Sequence, residues 1–395
     1  MTRLPLPLAV PEEIGLSSGR LARLSAVLAG EIERGRVPGA VVLVARRGRL
    51  GFFESFGQRD AAGGAPMMRD AIFRIYSMTK PITSVAAMML WEEGRFLLSD
   101  AVGKYLPELC DLKVAVEHGA EFELVPAERA VTIQDLLRHT SGITYEFRGS
   151  GPVQKMYMSA KVYSRSQSAA GQVATLGKLP LLHQPGTRWE YGRSTDVVGR
   201  LVEVLSGQPL SAFFEQHILA PLGMVDTAFH VPPHNHSRLA ESFARDPENG
   251  AAVQLLEVRN PPNFESGGGG LVSTASDYAR FLQMLLNGGI LDGRRMLSRK
   301  TIELMTADHL GPITGAPDLL LPGHGFGLGF AVRLHAGIAH VPGSIGQYFW
   351  GGLAGTTFWV DPAEQLFALM LIQAPGQRDY YRTLFRDLVY SAFDD

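Results

Sequence analysis

The first part of the chain combines a helical pattern of apolar residues with two strand-like segments. From Leu16 to Arg34 apolar residues recur every three or four positions, which places them on one face of a helix capped by Ser17 or Ser18. From Gly39 to Phe56 two β-branched and aromatic segments flank Arg47-Gly48, a pattern typical of a hairpin. We therefore expect a helix packed on a sheet.

The helical pattern resumes after Arg74 and gives way to strand-like segments toward the carboxyl end. Helices are predicted at Val85 to Leu98, Ile133 to Arg138, Val197 to Leu205, Leu210 to Leu222, Ala275 to Leu286 and Tyr380 to Phe393. Strands are predicted at Gly327 to Leu334, Gly355 to Val360 and Leu366 to Ile372. Because strands lie at both ends with helices between them, we expect a discontinuous α/β domain of residues 1–83 and 226–395, interrupted by a helix-rich domain of residues 84–225.

The composition argues against several classes of protein. The chain has 395 residues, 37 Lys plus Arg against 39 Asp plus Glu, and 46% hydrophobic residues. Because it has neither a positive net charge nor a Lys/Arg-rich run, we expect no nucleic-acid partner, and its apolar fraction argues against disorder. The single cysteine, Cys110, permits neither an intramolecular disulfide nor a thiolate metal cluster.

The start of the chain and the absence of long apolar runs predict a cytoplasmic protein without a membrane partner. Pro5, Pro7 and Pro11 interrupt the first apolar stretch, which therefore lacks the unbroken core of a secretory signal. No run approaches the roughly 20 apolar residues that a membrane-spanning helix needs.

Ser77 and Lys80 form the first candidate for chemistry, because they stand three residues apart where an apolar segment becomes a helix. This spacing places both side chains on one helical face. A serine hydroxyl needs a base to become a nucleophile, and a lysine can serve if burial or a nearby charge lowers its pKa. The serine N–H at a helix start is also free to face a developing oxyanion. The alternative is a capping serine followed by a solvated lysine.

Two later segments add a tyrosine and a glycine-rich stretch. Within Pro185 to Ser194, Tyr191 lies in a turn before a predicted helix, where a phenol beside a lysine ammonium can relay the serine proton. Taken alone, Tyr191 is better explained as a packing aromatic. The glycines of Gly346 to Thr356 permit close approach of a ligand or backbone beside an edge strand. Their alternative is a bulge or hairpin turn, with Trp350 in the core.

Together with three further motifs, these segments resemble the serine β-lactamase and penicillin-recognising superfamily, and specifically the family VIII carboxylesterases. The further motifs are Leu136 to Gly142, Pro221 to Met224 and Gly268 to Ala275, so the resemblance covers most of the chain. It implies an α/β fold like that of class C β-lactamases, with an antiparallel sheet flanked by helices and a helix-rich inserted domain.

The resemblance also implies roles for individual residues. Ser77 is the acylated nucleophile, Lys80 its helix neighbour, and Tyr191 the general base toward serine and later the general acid toward the leaving alcohol. The backbone N–H groups of Ser77 and Leu353 form the oxyanion hole. Which of Lys80 and Tyr191 holds the proton at each step stays open. No metal or other cofactor is expected.

Departures from the β-lactamase motifs bear on the substrate. Tyr191-Gly192-Arg193 stands where those enzymes carry Tyr-x-Asn, and Trp350-Gly351-Gly352 aligns with their Lys-Thr-Gly. An indole and two glycines offer no charge or hydroxyl to an anionic substrate but give an apolar group a surface, which favours neutral esters. Arg193 can still supply a cation from another direction. Tyr145 matches an aromatic residue that lines the pocket of similar esterases, with simple packing as its alternative.

The sequence therefore predicts a serine carboxylesterase that hydrolyses short-chain esters through an acyl-enzyme on Ser77. One alternative is an acyltransferase or a D-amino acid amidase or peptidase that uses the same acyl-enzyme. A class C-like β-lactamase is a further alternative, disfavoured by Trp350 in place of a cation and by the lack of a signal sequence. The expected partner is a small-molecule ester, and the oligomeric state is not predicted.

Overall fold

The structure, a computed structural model, describes residues 4–118, 121–315 and 319–395. Its strands are β1 (Gly39–Arg46), β2 (Arg49–Asp60), β3 (Ala65–Pro66), β4 (Phe73–Arg74), β5 (Lys113–His118), β6 (Glu121–Pro126), β7 (Val272–Ser273), β8 (Ile290–Leu291), β9 (Arg294–Arg295), β10 (His324–Phe326), β11 (Ala331–Arg333), β12 (Tyr348–Gly351), β13 (Thr357–Asp361) and β14 (Leu366–Ile372). Its α-helices are α1 (Ser18–Glu33), α2 (Thr79–Glu92), α3 (Ile133–Leu137), α4 (Pro152–Ser159), α5 (Ala169–Leu176), α6 (Ser194–Ser206), α7 (Leu210–Phe214), α8 (Ala220–Leu222), α9 (Ala275–Leu286), α10 (Arg299–Met305) and α11 (Arg378–Tyr390). Within these ranges no helix is both long and apolar enough to cross a membrane.

One antiparallel sheet joins the two ends of the chain. Its eight strands run in the order β10-β11-β12-β13-β14-β1-β2-β3. The predicted hairpin is β1 and β2, which pair with Leu43 opposite Phe53, and β1 also pairs with the late strand β14, with Leu43 opposite Leu369. This arrangement confirms the predicted α/β class with an antiparallel sheet and flanking helices.

Side chains on the two faces of β1 enter two separate cores. Val41 and Leu43 point into the larger core, whereas Val42 and Val44 point into a smaller one that includes residues of α1 and α11. This alternation follows from the two-residue period of a strand. Each fully buried side chain of this size contributes about 1.5–3 kcal/mol of transfer free energy. The larger core holds α2 and α9, and α2 carries the Ser-x-x-Lys lysine.

Some predicted elements have different bounds in the structure. The helix predicted at 85–98 runs from Thr79 to Glu92 and ends before Gly94, whose left-handed φ of 72° stops it. The strand predicted at 327–334 is shorter in the structure: only β11 (Ala331–Arg333) is strand, and residues 327–330 form a turn after β10, closed by a Gly327 N–H to Phe330 O hydrogen bond of 2.8 Å. Because Phe330 in this turn is fully buried, an apolar pattern cannot distinguish the turn from a strand.

The predicted edge strand is not at the edge of the sheet. β13 lies between β12 and β14. The exposed backbone edge instead belongs to the end of β12, because β11 pairs only with Tyr348 and Phe349 and stops short of Trp350. The unpaired edge therefore begins at the tryptophan and the glycines that follow it.

Candidate active site

One cavity of about 480 Å³ brings the predicted site residues together. Its lining includes Ser77, Tyr145, Tyr191, Arg193, Trp350, Gly351, Gly352 and Leu353. Lys80 is completely buried and contacts Ser77 and Tyr145. Residues that are far apart in the sequence thus meet at a single concave surface.

Ser77 lies in a single 3-10 turn, Tyr76–Met78, which precedes α2 rather than belonging to it. The preceding residue, Tyr76, has a left-handed φ of 45°, an unfavourable conformation for a bulky side chain. Its hydroxyl accepts a 2.8 Å hydrogen bond from the Leu256 N–H. The strained turn places Ser77 in the cavity wall, and no local sequence pattern predicts this strain.

Lys80 in the first turn of α2 donates to three oxygens. Its Nζ lies 3.3 Å from Ser77 Oγ, 3.0 Å from the Tyr145 hydroxyl and 2.6 Å from Gly268 O. Burial alone would lower the pKa of Lys80, but attraction to the oxygens of Tyr145 and Tyr191 raises it above its usual value. The direction of this shift favours the ammonium form of Lys80 over the lysine base with a lowered pKa considered from the sequence.

Tyr191 precedes α6 and lies against the same ammonium. Lys80 Nζ is 4.6 Å from the centroid of the Tyr191 ring, and the Tyr191 oxygen accepts a 3.2 Å hydrogen bond from Trp350 Nε1. On another side the ring packs against His139 at 4.9 Å between centroids. Burial, together with the charge of Lys80, holds the pKa of His139 well below its usual value, so this imidazole is neutral.

Tyr145 is more than a lining residue, because its hydroxyl contacts the lysine directly. Burial raises the pKa of Tyr145 to about 12, although Lys80 acts in the opposite direction. The phenol is consequently protonated near neutral pH and accepts the Lys80 hydrogen bond. Its ring stacks on Phe147 at 4.8 Å.

The glycines after Trp350 allow the end of β12 to pass close to the nucleophile turn. A Cβ added to Gly352 would lie 2.5 Å from the Ile75 carbonyl oxygen, two residues before Ser77. Gly352 N–H donates to Thr356 O at 2.8 Å, which closes a turn over residues 352–356. Among the described residues, the Leu353 N–H in this turn has no hydrogen-bond acceptor.

Arg193 lines the cavity, but its charge is matched inside the protein. Its guanidinium lies 2.6 Å from Glu146 Oε1 and 3.4 Å from Asp196 Oδ2. Asp196, which sequence reasoning missed, also accepts hydrogen bonds from Ser266 Oγ at 2.5 Å and from Gly268 N–H at 2.9 Å. The Gly268 carbonyl accepts a hydrogen bond from Lys80. By binding the amide of the same glycine, Asp196 helps to hold the ammonium in place. The sequence signal for Asp196 was its place in the first turn of α6, where an acidic side chain is favoured by the helix dipole.

This fold, with a serine, a buried ammonium and two phenols at one cavity, defines a serine hydrolase that works through an acyl-enzyme. Residues 24–390 match the family model described as Beta-lactamase. The chain belongs to this β-lactamase family.

Individual relatives confirm the resemblance to family VIII esterases. Protein Rv1367c of Mycobacterium tuberculosis strain H37Rv is 38% identical over 353 residues, which cover 86% of this chain and 87% of the relative. Esterase EstB of Burkholderia gladioli is 32% identical and covers 96% of this chain and 98% of its own. Among solved structures, EstCE1, described as a hydrolase with promiscuous acyltransferase activity, has a TM-score of 0.78 and 27% identity over 94% of this chain and 98% of its own.

Proposed function

We propose that this protein is a carboxylesterase that hydrolyses short-chain esters through an acyl-enzyme on Ser77. The observation that carries the proposal is the 3.3 Å contact between Lys80 Nζ and Ser77 Oγ at a cavity shared with Tyr191 and the turn of Leu353. Relatedness to esterase EstB over nearly the whole of both chains supports ester chemistry.

In this scheme Tyr191 begins as a phenolate beside the Lys80 ammonium. In the first half of the reaction, Ser77 Oγ attacks the ester carbonyl carbon and its proton passes to the Tyr191 oxygen, which becomes a phenol. The carbonyl oxygen becomes an oxyanion that accepts hydrogen bonds from the Ser77 and Leu353 N–H groups. When the intermediate collapses, the carbon–alkoxide bond breaks and Tyr191 returns the proton to the leaving oxygen. In the second half, a water molecule follows the same path and releases the acid.

Lys80 remains protonated throughout this scheme. Its raised pKa and its three oxygen partners favour an ammonium that stabilises negative charge on Ser77 and Tyr191 rather than a neutral amine that removes a proton. We therefore assign the general-base role to Tyr191 and the electrostatic role to Lys80.

The cavity favours neutral esters with apolar groups. Tyr145 and Trp350 provide aromatic surface. Of the arginines that line the cavity, Arg193 is paired with Glu146 and Asp196, and Arg382 is bound to the Gly352 and Thr356 carbonyls and to Asp379. No lysine stands in the position of the β-lactamase Lys-Thr-Gly motif, which disfavours the β-lactamase alternative.

An acyltransferase is the second candidate, because the cavity is larger than a short acyl chain requires. A volume of about 480 Å³ lies in the range of pockets for drug-sized ligands, so a bulky alcohol can occupy it beside the acyl-enzyme. The promiscuous acyltransferase activity of EstCE1 supports the same possibility. A D-amino acid amide substrate has no comparable observation in its favour.

The test is Ser77→Ala, with Ser84→Ala as its control. Ser84 lies on α2, is buried, and its Oγ has no hydrogen-bond partner within the described structure. With a p-nitrophenyl butyrate substrate, Ser77→Ala should abolish both the initial burst and the acyl-enzyme mass, whereas Ser84→Ala should retain both. Unchanged hydrolysis by folded Ser77→Ala would disprove the nucleophile assignment.

The same assay separates the candidate functions. Added butanol should compete with water for the acyl group if the protein is an acyltransferase, and chromatography of butyl butyrate against butyric acid measures the ratio. Hydrolysis alone supports the esterase. Nitrocefin turnover more efficient than ester turnover would contradict both and favour a β-lactamase.

A further inference from the structure

An arginine from the last helix holds the turn that contains the Leu353 amide. Arg382 on α11 donates from Nη2 to Gly352 O at 2.5 Å and to Thr356 O at 3.5 Å. These two carbonyls belong to the first and last residues of the 352–356 turn. Arg382 therefore bridges both ends of the turn, which the Gly352 N–H to Thr356 O hydrogen bond also closes.

The contact to Gly352 O has a geometric consequence for the next amide. The Gly352 carbonyl and the Leu353 N–H belong to one planar peptide unit, and in a trans peptide these two groups point in opposite directions. The described structure contains no cis peptide bond. With the carbonyl held toward Arg382, the Leu353 N–H must point away from α11.

Arg382 lines the cavity, and its Nη1 and Nη2 are bound to protein oxygens, while its Nε has no partner among the described residues. Its guanidinium is largely enclosed, and burial lowers its pKa to about 10, which still leaves it charged at neutral pH. Two of its contacts are to backbone carbonyls, and a third is a 3.3 Å ion pair with the exposed Asp379. A Cβ on Gly351 would lie 2.6 Å from Arg382 Nη2, so the glycine is needed for this approach.

From these contacts we propose that Arg382 is a positioning residue, which fixes the Gly352–Leu353 peptide so that its N–H serves as the second donor of the oxyanion hole. The inference rests on the proposed function, in which the Ser77 and Leu353 amides stabilise the tetrahedral intermediate. This role accounts for the Arg382 cation beside Trp350-Gly351-Gly352, the segment that aligns with the Lys-Thr-Gly motif of β-lactamases but lacks its lysine.

The test measures transition-state binding separately from substrate binding. Arg382→Met should lower kcat about tenfold to a hundredfold and leave KM nearly unchanged, because an oxyanion donor acts mainly in the transition state. Affinity for a trifluoromethyl ketone, whose hemiketal oxyanion occupies the same position, should fall by a similar factor. Arg382→Lys, which retains a donor, should recover part of the loss.

Two further variants separate positioning from general damage to the fold. Asp379→Asn removes the exposed ion pair of the same arginine and should leave both kcat and ketone affinity unchanged. Gly351→Ala displaces the guanidinium while Arg382 is retained, so it should reproduce the Arg382→Met pattern even if that variant fails to fold. Thermal unfolding and circular dichroism establish folding in each case.

Distinct results would overturn this inference and the proposed function. Folded Arg382→Met or Gly351→Ala with wild-type ketone affinity contradicts the role of Arg382, whether or not kcat changes. If Ser77→Ala removes the burst as expected, such a result leaves the esterase proposal intact. Retention of the burst by Ser77→Ala would instead remove the basis of both.

Discussion

Replacing Tyr145 and Tyr191 in turn by phenylalanine tests which of these two phenols beside Lys80 acts as the general base. Tyr145 accepts a 3.0 Å hydrogen bond from Lys80. Tyr191 instead has its ring centroid 4.6 Å from the same ammonium, and its oxygen accepts a hydrogen bond from Trp350 Nε1. With Tyr191 as general base and Tyr145 as a protonated partner of the lysine, we expect the two substitutions to differ strongly.

The structure sets the expected magnitudes. Tyr145→Phe removes one of three oxygen partners of the ammonium, and Ser77 and Gly268 remain. A hydrogen bond to a charged group is worth about 1.5–3 kcal/mol, and because the remaining partners compensate in part, we expect a loss of about tenfold in kcat. Tyr191→Phe removes the proton acceptor itself, and loss of general acid–base catalysis costs about 10²–10⁴-fold.

Pre-steady-state acylation by a p-nitrophenyl ester is the appropriate assay, because it measures the step in which Ser77 loses its proton. Tyr157→Phe is the control, since Tyr157 is another fully buried tyrosine, with its hydroxyl on Pro180 O at 3.2 Å. It should lower stability but leave the acylation rate unchanged. If Tyr145→Phe slows acylation more than Tyr191→Phe does, the general-base assignment is wrong and the two phenols exchange roles.

Two other predictions concern the oxyanion turn and the pH dependence of stability. Gly352→Ala forces a Cβ to within 2.5 Å of Ile75 O and should reduce kcat about a hundredfold, whereas Gly19→Ala, with no contact closer than 3.9 Å, should have no effect on the same steady-state assay. Burial lowers the pKa of His183 and of His324 to about 4, so the unfolded chain binds more protons at these sites and stability should fall from pH 6.5 toward 4, by at most about 3 kcal/mol per histidine before partial exposure reduces the effect. Burial raises the pKa of Asp277 to about 6, and this group opposes the trend between pH 6 and 3.8. Urea unfolding at pH 7 and pH 5 measures the net change, and greater stability at pH 5 would contradict the sign.

The parts of the fold that follow from local pattern were predictable, and those that depend on packing between distant segments were not. Helix α9 and strand β14 have the predicted bounds, because each buries a continuous apolar pattern. The β5–β6 hairpin within the middle of the chain was missed. Its strand β6 carries a local signal, the alternation of polar and apolar residues from Glu121 to Leu124, so this hairpin did not depend on packing between distant segments.

The candidate site shows the same division between local and distant information. Ser77 and Lys80 are three residues apart, so local spacing predicts that they meet, although Ser77 lies in the 3-10 turn before α2 rather than in the helix. Tyr191 was a candidate from its position in a turn before a predicted helix, whereas Leu353 was expected only through the resemblance to a family. The contact of Lys80 with Tyr145 spans 65 residues, and that of Arg382 with Gly352 spans 30. Neither contact has a local sequence pattern, because each arises where separate elements of the fold converge.

The protonation of Lys80 connects the fold to the chemistry. A buried ammonium is unfavourable unless its donors are satisfied, and here the Ser77, Tyr145 and Gly268 oxygens supply three acceptors. The Gly268 acceptor depends on Asp196, which holds the amide of the same glycine. Because these contacts stabilise the charged form, the Ser-x-x-Lys motif does not by itself identify the base. In the mechanism proposed above, the proton of Ser77 therefore passes to Tyr191, which accepts it as a phenolate beside the ammonium.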